Sequence, residues 1–84
     1  MLRTMAAVRF SRHAKNRMRL WRLSPGDVLE ALARPDRITV TPGARSNAWR
    51  YSGERWLRVT YTDDQEGRLV ITVTVRRRGP GDED

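Results

Sequence analysis

The 84-residue sequence has no cysteine, one histidine and one lysine. Without cysteine there is no disulfide framework and no thiolate metal site, and a reducing cytoplasm suits such a chain. His13 alone, among ten scattered carboxylates, cannot build a His-rich zinc cage, so neither a metal nor a cofactor is expected. Long apolar runs are also missing. Stretches such as Leu69–Ile71 fall far short of the ~20 residues that cross a bilayer, and the N-terminal residues form no continuous apolar signal core. The expectation is a soluble, cytoplasmic protein without a membrane partner. No P-loop, dinucleotide-type glycine pattern, paired metal carboxylates or serine-nucleophile motif occurs, which excludes nucleotide-driven and metal-driven chemistry.

What is present is positive charge. Seventeen basic against ten acidic residues give +7 and a pI near 11.4, which makes a polyanion the default partner. Sixteen of the seventeen are Arg, a bias that GC-rich coding alone can produce, so part of this charge is discounted. The distribution is uneven: residues 1–62 carry 13 basic and 4 acidic side chains (+9), and residues 63–84 carry 4 and 6 (−2). A mass of 9.8 kDa and 38% hydrophobic residues allow one small core. Residues 1–78 are read as a single domain and 79–84 as an acidic, flexible tail without a core residue.

Met1–Thr4 are expected to fray, and Ala6–Phe10 reads as a short strand. Ser11 is placed to cap a helix over Arg12–Trp21, in which Ala14, Met18 and Trp21 recur at helical spacing as the buried stripe. Ser24-Pro-Gly-Asp27 has the form of a capping box with Pro at the first helical position, opening a second helix that runs to Ala33. Its expected core face is Val28, Leu29 and Leu32, and Arg34-Pro35 ends it. From Arg37 the period changes to two. Arg37–Thr41, Ala48–Tyr51, Trp56–Thr62 and Arg68–Arg76 read as strands, with Pro42–Asn47 a loop and Ser52-Gly53-Glu54 and Asp63–Gly67 tight turns. The expected class is α+β, with two helices on one face of a three- to four-stranded antiparallel sheet.

Alternation through the first hairpin places Trp49, Tyr51, Leu57, Val59 and Tyr61 on one face, under the helices. It places Arg50, Trp56, Arg58 and Thr60 on the other, together with Thr72, Thr74 and Arg76. Arginines fork onto phosphate oxygens and an indole accepts any base, so the second face suits nucleic acid; an ordinary solvated sheet face is the competing reading. His13 is the only side chain that titrates near neutrality without help, and Arg17 follows one turn later on the same side of the helix. Arg17 could hold a phosphate beside His13 or pair with Asp27 or Glu30. Arg76-Arg77-Arg78 reads either as a nucleic-acid patch or as a solvated end that meets Asp82-Glu83-Asp84.

Phe10-Ser-Arg-His-Ala-Lys-Asn-Arg-Met18, then Leu23-Ser-Pro-Gly-Asp-Val-Leu-Glu-Ala-Leu and Arg34-Pro-Asp, resembles a family of small bacterial proteins that open with His-Ala-x-x-Arg-Met. That family carries the description of a domain of unknown function and is grouped with the RelE/ParE toxin superfamily. Trp56-Leu-Arg-Val-Thr-Tyr and Leu69-Val-Ile-Thr-Val-Thr-Val are similar to its closing strands and to those of BrnT-type toxins. The resemblance spans residues 8–76 and implies a RelE-like βααβββ fold, an ancestry among metal-independent ribonucleases, and as partners RNA, on the ribosome or off it, and an antitoxin protein. The expected state is a monomer or small homo-oligomer.

Two functions are carried forward. In the first the protein binds RNA and cleaves it without metal, with His13 as general acid or base, Arg17 neutralising phosphate charge, and Arg50, Trp56, Arg58, Arg76 and Arg77 holding the strand. In the second it is a non-catalytic module that docks on nucleic acid or a protein.

Overall fold

The computed structural model describes residues 7–80, so the expectations for Met1–Thr4 and for Asp82–Asp84 lie outside the described residues. Val8–Phe10 form β1, Arg12–Trp21 α1 and Pro25–Ala33 α2. Arg37–Thr41, Arg45–Ser52, Arg55–Asp64 and Gly67–Arg76 form β2 to β5.

Local chemistry accounts for the helix ends. Ser11 takes extended geometry, and its Oγ accepts from the Ala14 amide at 2.9 Å while donating to the Ile71 carbonyl at 2.8 Å. One hydroxyl therefore starts α1 and ties it to the sheet. α1 stops at Arg22, which is left-handed at φ 57°. The Arg22 amide bonds back to Arg19, and the Leu23 amide to Met18 at 2.8 Å, closing a Schellman motif. α2 opens with the full capping box, the Asp27 amide donating to Ser24 Oγ at 3.1 Å and the Ser24 amide to Asp27 Oδ2 at 2.9 Å.

The sheet has the order β1-β5-β4-β3-β2. The class is α+β as expected, but the sheet is five-stranded and mixed rather than three- to four-stranded and antiparallel. β1 lies parallel to β5, Val8 opposite Arg68 and Phe10 opposite Val70. Alternation along the chain reveals strands but not this distant pairing. β3 is also longer than expected. Gly43 (φ 90°) and Ala44 (φ 63°) turn the chain within three residues, so Arg45–Asn47 pair with β2 instead of looping.

Both helices lie on one face. Ala14 and Met18 of α1 and Val28 and Ala31 of α2 pack with Ala48, Val59, Tyr61, Val70 and Val73, and Leu23, Leu32 and Leu57 extend the cluster. Ala31 takes the place expected of Leu29, which stays exposed, and Trp21 is only half-buried. A bulge lets Thr60 face Thr72 and Tyr61 face Val70, which leaves Ile71 unpaired. The Ile71 carbonyl is the one that receives the Ser11 hydroxyl.

Candidate nucleic-acid interface

The β3–β4 turn decides which side chains share the sheet face away from the helices. Gly53 and Glu54 both have positive φ, 64° and 67°, the signature of a two-residue type I′ turn, with Ser52 opposite Arg55. Such a turn sets odd residues of β3 against even residues of β4. Trp49 therefore faces Arg58, Tyr51 faces Trp56, and Arg50 faces Leu57.

This corrects the expected assignment at three positions. Trp49 and Tyr51 belong to the face with Trp56, Arg58, Thr60, Thr72, Thr74 and Arg76, not to the face under the helices. Arg50 is on the helix side, where its Nη1 donates to the Arg34 carbonyl at 2.7 Å and its Nη2 lies 3.4 Å from Glu30 Oε2.

On the helix-free face the aromatic rings form one cluster. Trp49 is 1% exposed, and its Nε1 donates to Thr39 Oγ1 at 3.0 Å. Trp56 meets it edge-on at 6.3 Å and 77°, and Tyr51 leans on Trp56 at 5.3 Å while remaining 50% exposed. The Arg58 guanidinium lies 5.6 Å from the centre of the Trp49 ring, and Arg76 stands opposite Trp56 in register. Thr60 Oγ1 donates to Asn47 Oδ1 at 2.6 Å, and Asn47 Nδ2 donates to Thr39 Oγ1 at 3.3 Å, so the polar part of the face is pre-ordered. Gly79 and Pro80, read from sequence as the start of the tail, are buried. A Cβ on Gly79 would stand 2.5 Å from the Trp56 indole.

His13 is exposed and Arg17 half-buried on α1, across the sheet from Arg58, Trp56 and Arg76. The residues expected to act together thus fall into two groups separated by the sheet. Arg17 pairs with neither acidic candidate: Asp27 serves the capping box and Glu30 meets Arg50. Arg77 follows Arg76 just beyond β5, where it is exposed and lines a bowl with Trp21 and Arg55.

Charge is segregated along the strands. At the β4–β5 turn, Arg9 Nη2 donates to both Asp64 carboxylate oxygens at 2.7 and 2.8 Å, and Arg68 forks onto Asp63 at 2.7 and 3.1 Å while stacking on Tyr61. The Arg9 hydrogen bonds hold the Asp64 carboxyl below its ordinary range, and Asp63 raises Arg68. At the opposite end of the sheet Arg22, Arg55 and Arg77 have no such partner among the described residues, so their positive field concentrates there and over the adjoining aromatic face. Trp49, Tyr51, Arg22 and Arg55 are the residues that alternation alone missed. The Gly53-Glu54 turn length is the signal that identifies the first two.

Among the described residues no three His, Asp or Glu side chains could hold a metal ion, and no helix is long and apolar enough to cross a membrane. The family described as a domain of unknown function (DUF4258) matches residues 10–75, and the chain belongs to it. No curated protein and no solved structure matches the chain.

Proposed function

We propose that this DUF4258-family chain is a RelE-like protein that binds single-stranded RNA on the helix-free face of its sheet, without cleaving it. The observation that carries the reading is the joined strip of Tyr51, Trp56 and Trp49 with Arg58, Arg76 and a row of threonines. Tyr51 offers a stacking surface for a base, backed by the Trp56 indole, which in turn rests on Trp49, and the arginines meet phosphates. The His-Ala-x-x-Arg-Met start of α1 and the β-α-α order followed by a strand meander support the RelE/ParE relationship. His13 and Arg17 lie on the far side of the sheet from this strip, so RNA held there does not present its ribose hydroxyls to the imidazole.

The test is gel retardation of labelled oligoribonucleotide in EDTA. Tyr51→Ala should weaken binding about tenfold, in line with ~1–3 kcal/mol per stacked base. Arg76→Gln should lower the slope of log K against log salt by about 0.7. His13→Ala should leave retardation unchanged. RNA cleavage by wild type that disappears in His13→Ala would overturn the reading in favour of a metal-independent ribonuclease.

A second reading, docking of an antitoxin-type protein, draws on the edge strand β2. Ile38 and Val40 stand 51% and 77% exposed beside an unpaired backbone edge. Co-purification with the product of a neighbouring gene, lost in Val40→Lys, would support it. A complex that survives this change would not.

A further inference from the structure

A concave feature lies at the end of the sheet where Arg22, Arg55 and Arg77 gather. Arg22, Arg55 and Arg50 surround a cleft of about 150 Å³ floored by Leu23, Leu57 and Val75, with Asp27 and Glu30 on the α2 wall. Sharing Arg55 and Val75 with it is a wider bowl of about 640 Å³ that reaches Trp21 and Arg77.

Three features mark this as a built site. Among the described residues the guanidiniums of Arg22 and Arg55 have no hydrogen-bond or ion-pair partner, although both line one cleft. Arg22 occupies the left-handed position that closes α1, at φ 57°, where glycine is the cheaper residue. The arginine side chain is therefore kept at a conformational cost. The apolar floor lowers the local dielectric and strengthens contacts from the guanidiniums to an anion seated on it.

We propose that cleft and bowl together bind a nucleoside 5′-monophosphate, either free or as the phosphorylated end of an RNA. The phosphate meets Arg22 and Arg55. The carboxylates of Asp27 and Glu30 would repel a simple inorganic anion, but they are acceptors for ribose hydroxyls, and Arg50 holds Glu30 in place at 3.4 Å. The base lies against Trp21, which lines the bowl. The site shares Trp56 and Arg76 with the RNA-binding strip, whereas Tyr51 lines neither cavity, so Tyr51→Ala should weaken RNA retardation and leave AMP binding unchanged.

Isothermal titration of the full chain with AMP tests it. Wild type should bind, and Arg22→Gly and Arg55→Gln should each weaken binding about ten- to a hundredfold, the range for a charge-assisted contact. Arg22→Gly suits the left-handed position better than arginine, so its melting temperature should hold or rise while affinity falls. Adenosine should bind about tenfold or more weakly than AMP, and Lys15→Gln, which removes the same charge elsewhere, should bind AMP as wild type does. Competition by a 5′-phosphorylated oligoribonucleotide but not its 5′-hydroxyl counterpart identifies an RNA end as the source. Competition by neither identifies the free nucleotide. Absence of AMP binding, unchanged affinity in both arginine variants, or equal competition by both oligomers would overturn the proposal.

Discussion

Gly67→Ala should be among the most damaging single-methyl additions in the protein. Gly67 opens β5 at φ 122°, a region L side chains avoid, and a Cβ there would stand 2.3 Å from the Ala7 carbonyl oxygen and 3.0 Å from the Ala7 nitrogen. Backbone, unlike a flexible side chain, has little room to give. The strained φ costs about 1–3 kcal/mol. Relieving the clash breaks the hydrogen bond from the Arg68 amide to Ala7, 2.8 Å long, at about 1 kcal/mol, and loosens the parallel pairing of β1. A total near 3 kcal/mol is a large share of the roughly 4–13 kcal/mol that a chain this size possesses. It lowers the melting temperature by about 12–24 °C. The internal comparison is Gly53→Ala: Gly53 also has positive φ (64°), but nothing lies within 4 Å of its added Cβ. That change should cost only the left-handed penalty, about 1 kcal/mol and about 4–8 °C. Thermal unfolding followed by circular dichroism reads both. Equal shifts for the two variants would refute the argument that the approach of Ala7, rather than φ alone, makes glycine necessary at 67.

Val59→Ala removes fully buried methyls between the helices and β4 and should cost about 2 kcal/mol, read from the denaturation midpoint in urea. Arg50→Ala severs the link from β3 to the Arg34 carbonyl and Glu30 and should cost about 1 kcal/mol; a neutral result would mean that α2 is held by its apolar face alone. Because Arg9 depresses the Asp64 carboxyl below its ordinary 3.8, the folded state binds fewer protons there than the unfolded one. The resulting stability is present above that value and is lost as pH falls through the depressed one. Asp64→Asn should therefore melt below wild type near neutrality and converge with it in strong acid, and molar salt should narrow the gap.

Much of the fold is legible in residue pattern. Ser11 and the Ser24–Asp27 box mark both helix starts because capping is local chemistry, and Arg34-Pro35 marks the second end for the same reason. Helical spacing misplaces Leu29 because Val28-Ala31-Leu32 forms an equally regular stripe, and only the sheet beneath selects between them. The parallel contact of β1 with β5 is tertiary and has no local signature. The site was half legible. Trp56, Arg58 and Arg76 share a face as alternation predicts, whereas Trp49, Tyr51 and Arg50 are transposed by a turn whose two positive-φ residues shift the pairing parity by one. Glu54 disguises that turn, since glycine or asparagine is the usual second residue. Arg22 is invisible for a related reason: nothing about an arginine after a helix announces a left-handed cap.

The claim that the Tyr51–Trp56 strip carries RNA is tested most directly by titrating isotope-labelled protein with a short oligouridylate and following amide and indole resonances. The account predicts shifts concentrated at Tyr51, Trp56, Arg58 and Arg76, with the indole N–H of Trp56 moving and His13 and Arg17 still. Shifts centred on His13 and Arg17, with the sheet strip unmoved, would contradict it.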